Sequence, residues 1–215
     1  TIRQYRGLAL GVEFGFETEG TDDQASAAQY GADLVIASDC LNSRIRTRYR
    51  SVFQPDIDTR LCRFVWLGTR KTFDAFTFAF EQTAAGWIWA HAYRFADDCS
   101  TFIVECAPET WAALGFERMT QDETIAACEA IFAAHLGGEK LVSNAAHLRG
   151  STAWLRFRRL TCKRWHDGKL VLLGDAAHTA HFSIGSGTKL AVEDAIKLAE
   201  VLNQPGKPLD QALDD

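Results

Sequence analysis

The sequence predicts a mixed α/β (α+β) fold in which an α/β domain is interrupted by an antiparallel sheet. Short apolar segments typical of buried parallel strands occur near both ends of the chain, at 33–37 and 169–173. Between them, from about 61 to 106, lie long segments rich in Phe, Trp, Val and Thr. A helical stripe of apolar residues follows at 121–136. This order of elements indicates one domain split by another.

The N-terminal part reads as the end of a helix at 2–9 and a strand at 11–18, in which apolar and polar or small residues alternate. The DLVIA segment at 33–37 is expected to be a fully buried strand of the parallel kind. A loop at 38–43 then leads into a basic stretch, which we expect to be a solvated face. Its arginines are Arg44, Arg46, Arg48 and Arg50.

The central part is predicted to be an antiparallel sheet, with strands at 61–68, 74–83, 86–95 and 100–106 separated by turn residues. Residues two apart in a strand share a face. Two aromatic rows follow from this rule: one is Phe76, Phe78 and Phe80, and the other is Trp87, Trp89, His91 and Tyr93.

Helices and a further strand are predicted after the sheet. Pro108 is suited to the first turn of a helix, and the stripe at 121–136 is a second helix that the pair Gly137-Gly138 stops. Residues 153–164 form a strand-like run. They complete the inserted domain.

The sharpest local feature is the segment 171–195. A hydrophobic strand ends in Gly174-Asp175, and a second glycine pair, Gly185 and Gly187, precedes an amphipathic helix at 188–202. Such a turn presents a carboxylate and free backbone N–H groups at the carboxyl edge of a sheet, where ligands bind in open α/β folds. The plainer alternative is a strand-turn-helix with an ordinary capping aspartate.

The composition excludes several classes of partner and site. The 215 residues carry a formal net charge of −5 and the pI is about 5.7, which argues against nucleic acid or an anionic membrane as a partner. No apolar run approaches the ~18 residues of a spanning helix, so we expect a cytoplasmic protein. The six cysteines include no C-x-x-C pair, and we expect them to be reduced and mostly buried.

Two separated motifs resemble the FAD-dependent aromatic hydroxylases of the para-hydroxybenzoate hydroxylase type. LLGDAAH at 172–178, followed by G-x-G and D-A within 185–195, is similar to the second flavin motif of that family. DLVIASDCLNSRIR at 33–46 is similar to its middle motif. Further stretches, such as CRFVWLGT and SNAAHLRGS, resemble the members that hydroxylate salicylyl-CoA or 2-aminobenzoyl-CoA.

The resemblance implies a flavin monooxygenase that uses FAD and NAD(P)H to hydroxylate an aromatic acyl-CoA. It assigns 1–58 and 166–215 to a partial, discontinuous FAD-binding domain and 59–165 to a substrate domain. His181 is the candidate catalytic residue, and Trp89, His91 and Phe182 are candidate substrate contacts. Gly174 and Asp175 would hold the ribityl chain, and the other implied or candidate cofactor residues are Asp39, Arg46, Gly185, Gly187 and Thr188.

The sequence also departs from the family pattern. Cys40 stands where the middle motif has glycine, His181 and Phe182 stand where relatives carry prolines, and Lys189 replaces a frequent Asn. None of the 16 glycines forms the G-x-G-x-x-G turn that cradles the FAD pyrophosphate. We therefore expect a fragment that is inactive alone, whose partner is the missing segment or a second copy; the alternative is a complete fold without the motif.

Other kinds of site fit the sequence less well. His178 and His181 with Asp175 lack the helical spacing of metal ligands, so no metal is predicted. The glycines at 185–187 do not form a phosphate loop, and no G-x-S-x-G elbow is present. A non-catalytic binding module and a flavin dehydrogenase of the same fold remain alternatives.

Overall fold

The computed structural model describes residues 34–143 and 154–214. The predicted helix end at 2–9 and strand at 11–18 lie outside these residues. The described part divides into two compact units, one within 1–57 and 160–215 and the other within 58–159. The assignment of a cofactor domain and a substrate domain with the bounds given above stays a prediction.

The secondary structure is numbered here along the described residues. The strands are β1 (Val35–Ala37), β2 (Pro55–Thr69), β3 (Thr77–Thr83), β4 (Gly86–Ala96), β5 (Cys99–Cys106), β6 (Leu141–Ser143), β7 (Leu155–Cys162), β8 (His166–Asp167) and β9 (Leu170–Leu172). The helices are α1 (Arg44–Arg48), α2 (Arg50–Phe53), α3 (Pro108–Ala113), α4 (Gln121–Ile131), α5 (Ala133–Leu136), α6 (Gly187–Leu202) and α7 (Leu209–Asp214).

The first unit contains a three-stranded sheet in the order β1-β9-β8. β1 runs parallel to β9 with Ile36 opposite Val171, which confirms the parallel pairing expected from the two apolar segments. The expectation that β1 is fully buried was wrong: only Ala37 is buried, because β1 lies at one edge of the described sheet. Its core contains Ala37, Phe53, Leu160, Cys162, Leu172 and Ala177.

The basic stretch after the loop at 38–43 is helical, since it forms α1 and α2. Arg46 in this stretch is 3% exposed, so the expectation of a wholly solvated face was wrong for this residue. Its guanidinium donates hydrogen bonds to the backbone carbonyls of Leu41 and Ala176, which satisfy the buried charged group.

The second unit is built on a six-stranded sheet that runs β3-β4-β5-β2-β6, with β7 also pairing with β2. The pairs of β3 with β4, β4 with β5 and β2 with β5 are antiparallel, as the sequence predicted. One face of the sheet forms the hydrophobic core with helices α3, α4 and α5. This core contains Val65, Leu67, Ala79, Ile88, Ala90, Ala92, Phe102, Val104, Cys106, Phe116, Cys128, Phe132 and Leu136.

The long helix predicted at 121–136 begins as expected and then breaks. Thr120 and Glu123 form a capping box at its start, in which each side chain binds the backbone N–H of the other. The backbone leaves helical geometry at Phe132 (φ −99°, ψ 18°), whose ring packs edge-on against Phe102 at 5.4 Å. The apolar periodicity continues through this break, so the sequence pattern did not reveal it.

No helix among the described residues is long and apolar enough to cross a membrane.

Candidate functional site: a glycine-rich loop and an aromatic sheet face

Two residues after β9 comes a glycine, Gly174, that no other residue could replace without strain. Gly174 has φ +57°, a left-handed conformation that L side chains seldom adopt. A Cβ atom placed on it would lie 3.1 Å from the Cβ of Ala191 in α6. The left-handed backbone and the close helix both require glycine at this position. We call residues 174–188 the flavin loop, after the family motif that this segment resembles.

Asp175 follows this turn and points its carboxylate outward. It lies in a single 3-10 turn, Gly174–Ala176, and its side chain is exposed. No hydrogen bond within the described residues ties down its carboxylate, so the group is available to an external donor. Sugar-like hydroxyls are suitable donors.

A carboxylate from α6 holds the start of the loop. Asp194 Oδ2 accepts a hydrogen bond from the backbone N–H of Gly174 at 3.1 Å and contacts His178 Nε2 at 2.8 Å. The ring of His178 stacks on Trp165 with the centroids 4.6 Å apart. Asp194 therefore ties the strand end, the loop and the helix together.

The second glycine turn leads into the N-terminus of α6. Gly185 has φ +60° and ends a short 3-10 turn. Gly187 lies at the first position of the helix, and a Cβ there would meet nothing within 4 Å. No side chain caps this helix, since Ser186 Oγ donates to the carbonyl of Ile184 instead. The N–H groups of Gly187 and Thr188 are thus left at the positive end of a 16-residue helix.

His181 has a local structural role in the loop. Its Nδ1 accepts a hydrogen bond from the backbone N–H of Ser183 and lies 2.8 Å from Ser183 Oγ. Its ring packs against Phe182 at 4.3 Å. The structure therefore gives His181 the task of capping the 3-10 turn Phe182–Ile184. Its assignment as a catalytic residue stays a prediction.

The middle motif shows how the chain accommodates Cys40. This residue has φ +65°, the left-handed conformation that the family glycine would adopt easily. Asp39 accepts hydrogen bonds from the backbone N–H groups of Arg44 and Ile45 at 2.9 and 3.3 Å, so its carboxylate caps α1. The assignment of Asp39 and Arg46 as cofactor-binding residues stays a prediction.

The second unit carries an aromatic surface on the sheet face opposite its core. We call it the aromatic face. Phe80 and Trp87 on it are 59% and 53% exposed. The planes of Phe76 and Tyr93 stack at 5.4 Å, and Phe78 meets the ring of His91 edge-on at 4.8 Å. The residues of the face are Phe76, Phe78, Phe80, Trp87, Trp89, His91, Tyr93, Ile103 and Glu105.

Glu105 is the charged member of this face, and the sequence pattern did not single it out. It lies opposite Trp89 in the register of β4 and β5. Its Oε2 accepts a hydrogen bond from Trp89 Nε1 at 3.1 Å and lies 3.4 Å from His91 Nε2. A signal was present in the sequence, because Glu105 is the only charged residue in the strand CSTFIVEC.

Burial makes several of the cysteine thiols poor nucleophiles. Burial raises the pKa of the Cys106 and Cys128 thiols to about 12. Burial also raises the pKa of Cys62, and the charge of Glu105 adds to that effect. All six thiols are free, but only three are buried, because Cys62 and Cys99 are half-buried and Cys40 is exposed. The expectation that most of them are buried was therefore wrong.

His178 and His181 do not converge on a common point with Asp175, since the two rings contact Asp194 and Ser183 respectively. No group of three or more His, Cys, Asp or Glu side chains in 34–143 and 154–214 could hold a metal ion.

Comparison with known proteins identifies relatives along the whole chain. The model of the family described as FAD binding domain matches residues 15–208. Salicyloyl-CoA 5-hydroxylase from a Streptomyces species is 39% identical over 100% of this chain and 41% of its own length. Protodeoxyviolaceinate monooxygenase from Chromobacterium violaceum is 37% identical over 79% of this chain and 44% of its own length.

A third relative is the 3-hydroxy-4-methyl-anthranilyl-(aryl-carrier protein) 5-monooxygenase of Streptosporangium sibiricum. It is 36% identical over 79% of this chain and 43% of its own length. The chain thus spans less than half of the length of these three relatives.

Solved structures share the fold. pqsL, a probable FAD-dependent monooxygenase from Pseudomonas aeruginosa, aligns with a TM-score of 0.57 and 21% identity over 85% of this chain and 50% of its own. 2-Methyl-3-hydroxypyridine-5-carboxylic acid oxygenase aligns with a TM-score of 0.60 and 18% identity over 85% and 48%. With the family model matching most of its length, the chain belongs to the FAD binding domain family, among the FAD-dependent aromatic monooxygenases.

Proposed function

We propose that this chain is the part of a flavin-dependent monooxygenase that holds the ribityl and pyrimidine parts of FAD and binds an aromatic acyl thioester. One observation carries the proposal. The flavin loop joins an exposed, unengaged carboxylate at Asp175 to an uncapped helix N-terminus at Gly187. These two features supply an acceptor for hydroxyl groups and donors for an electron-rich ring edge.

The glycines of the loop support a cofactor of this kind. Gly174 is required by the fold, because its φ is positive and Ala191 lies close. Gly187 is not required by the fold, since it has open space around its Cα. A glycine costs stability relative to alanine in a helix. Close approach of a ligand to the backbone explains why glycine occurs at this position.

When bound, FAD that NAD(P)H has reduced supplies the activation of dioxygen that hydroxylation requires. Asp175 would accept hydrogen bonds from the ribityl hydroxyls. The N–H groups of Gly187 and Thr188 would bind the pyrimidine part of the flavin, and the positive helix end would stabilise negative charge there. Asp194 and His178 tie the strand end to the helix, which would let both groups hold the cofactor together.

The aromatic face supports the class of substrate. Trp89 and His91 remain our candidates for contact with the substrate ring, with Phe182 of the flavin loop as a third. The name of one relative contains salicyloyl-CoA, and that of another contains an anthranilyl group on an aryl-carrier protein. Both names join an aromatic acyl group to a carrier. Cations that a CoA phosphate would need are offered by the exposed Arg44, Arg48 and Arg50 and by the arginines at 156–164.

Activity is tested on the intact gene product with FAD, NADH or NADPH, salicyloyl-CoA and isotopically labelled dioxygen. We expect one labelled oxygen atom in the ring, detected by mass spectrometry of the product. Substrate oxidation without the label would instead identify a flavin dehydrogenase. A protein that takes up no FAD would identify a non-catalytic binding module.

The role of Asp175 is tested by Asp175→Ala, with Asp97→Ala as the control because Asp97 is an exposed carboxylate in the turn between β4 and β5. We expect only Asp175→Ala to weaken FAD binding, measured by quenching of flavin fluorescence. Equal affinity in both variants would contradict the assigned role.

Two further predictions concern the 215-residue chain expressed by itself. Its 215 residues contain no G-x-G-x-x-G turn, so we predict a colourless preparation that binds added FAD weakly, because that turn supplies pyrophosphate contacts. A yellow preparation would contradict this. We also predict a cytoplasmic location, which fractionation of the source cells would check.

A further inference from the structure

The second unit buries the carboxylate of Glu105 outside its hydrophobic core. Glu105 is 5% exposed and His91 is 2% exposed, and both lie on the face opposite the core. Removing a carboxylate from water is costly unless it is paired and hydrogen-bonded. Replacing buried charged groups by apolar side chains of similar volume is often neutral or stabilising. A buried pair on this face therefore suggests a role other than stability.

The geometry shows which groups the carboxylate restrains. Trp89 and His91 are neighbours at i and i+2 on β4, and both approach the same oxygen, Oε2 of Glu105. Trp89 is only partly buried, so part of its ring faces outward beside the exposed Phe80, its cross-strand partner. The hydrogen bond fixes the edge of the indole and hence the plane of the ring.

The same sheet contains a second histidine–glutamate pair for comparison. Glu81 contacts His135 at 2.6 Å on the opposite face of the sheet. Both of those side chains are about one third exposed, so that pair remains hydrated. It touches no exposed aromatic ring of the aromatic face. Both pairs join a histidine to a glutamate, but only the Glu105 pair also binds the indole of an aromatic-face residue, Trp89.

We propose that Glu105 is a positioning residue of the aromatic face. Its carboxylate holds the indole of Trp89 and the imidazole of His91 in one orientation. The affinity of this face for a planar aromatic ring then depends on Glu105, which acts through Trp89. The inference rests on the proposed function for the identity of the ligand, an aromatic acyl thioester. Planar rings bind stacked or edge-to-face arrangements of this kind, which require a fixed ring plane.

The test compares Glu105→Met, Glu105→Gln, Trp89→Phe and the double variant Trp89→Phe/Glu105→Met in the full chain. Glu81→Gln is the control. Salicyloyl-CoA is the probe, with CoA alone as its reference, and calorimetry gives the dissociation constants. The exchange rate of the Trp89 indole N–H is followed by NMR, with its resonance identified from its loss in Trp89→Phe.

We expect Glu105→Met to weaken salicyloyl-CoA binding at least tenfold and to speed exchange of the Trp89 indole N–H. Glu105→Gln is expected to stay within threefold of the wild type, because an amide oxygen still accepts the indole hydrogen bond. In the Trp89→Phe background, Glu105→Met is expected to add less than twofold. Such non-additivity is the mark of residues that act as a unit. Glu81→Gln is expected to change neither readout.

Three results would overturn the proposal: unchanged binding in Glu105→Met, full additivity in the double variant, or a wild type that binds salicyloyl-CoA no tighter than CoA. If Glu105→Met does not fold, Glu105→Asp replaces it, since it keeps the charge but withdraws the carboxylate by one methylene. It must then show the same losses. The proposed function fails separately, through absent FAD uptake or absent oxygen incorporation in the intact gene product.

Discussion

The flavin loop and the aromatic face are fixed in different ways. The flavin loop depends on backbone conformation, through a glycine at φ +57° and a helix N-terminus close by in sequence. The aromatic face depends on the register of three strands, which brings Phe80, Trp89 and Glu105 into one row. A short motif can encode the first, whereas the second exists only when distant segments pair.

The comparison also separates residues that hold the fold from residues that present a surface. At the flavin loop, Gly174 and Asp194 of α6 hold the backbone, while Asp175 and Gly187 are left open. In the sheet, Phe102 fills the core face while Phe80 lies exposed on the aromatic face. In each region, one residue of a similar pair holds the fold and the other is exposed. Substituting both members of a pair tests which of the two holds the fold.

The largest contrast is expected between two phenylalanines of the sheet. Phe102→Ala leaves a cavity in the core and is expected to lower the free energy of unfolding by about 3–5 kcal/mol. Phe80→Ala removes a ring that is 59% exposed and is expected to cost less than about 1 kcal/mol. Urea denaturation followed by circular dichroism measures both. Equal losses would show that the aromatic face belongs to the core.

Gly168 and Gly174 have similar positive φ angles, but only Gly174 is crowded by a neighbouring side chain. Comparing them separates the cost of backbone strain from the cost of a steric clash. Gly168→Ala forces an L residue into φ +54° with nothing within 4 Å and is expected to cost about 1 kcal/mol. Gly174→Ala adds a close contact with Ala191, so we expect about 2–3 kcal/mol. The same denaturation assay applies. A smaller loss for Gly174→Ala than for Gly168→Ala would contradict the close packing of strand end and helix.

Neighbouring carboxylates on α6 test whether the loop is tied to the helix. Asp194→Ala leaves the N–H of Gly174 and the ring of His178 without this acceptor, and we expect a loss of about 1–2 kcal/mol. Glu193→Ala breaks only an exposed pair with Lys189, for which we expect less than about 0.5 kcal/mol. Thermal unfolding of both variants decides. Indistinguishable melting temperatures would show that Asp194 does not tie the loop to the helix.

The smallest effect is expected at the middle motif. Cys40→Gly relieves a left-handed residue at φ +65° and is expected to raise the free energy of unfolding by about 0.5–1 kcal/mol after the entropy of glycine is subtracted. Ser38→Gly, in the same loop, is expected to lower it because no such strain is present there. A loss in both variants would show that Cys40 is not strained.

The sequence predicted those features that depend on short-range patterns. Period-two alternation predicted the antiparallel strands, the segment LLGDAAH predicted the turn at Gly174, and the glycine pair Gly185 and Gly187 predicted the start of α6. The bounds of β2 were wrong, because it begins at Pro55 rather than 61. Polar residues such as Asp56 and Asp58 interrupt the apolar pattern there, while the backbone remains paired.

The sequence analysis missed residues whose roles depend on distant contacts. Glu105 acquires its meaning only from the register that sets it opposite Trp89. Asp194 looked like part of a motif, yet its bond to Gly174 spans 20 residues. Arg46 was assigned to a cofactor by resemblance, and the structure shows its guanidinium bound to backbone carbonyls. Side-chain partners of this kind follow from folding and not from local spacing.

The affinity of Gly187→Ala for FAD tests the central claim most directly, because Gly187 lies in open space and its substitution should not disturb the fold. We measure the dissociation constant by flavin fluorescence in the intact gene product, with urea denaturation of the same variant as the control. The account predicts at least tenfold weaker FAD binding with an unchanged or slightly higher free energy of unfolding. Wild-type affinity for FAD in Gly187→Ala would contradict it.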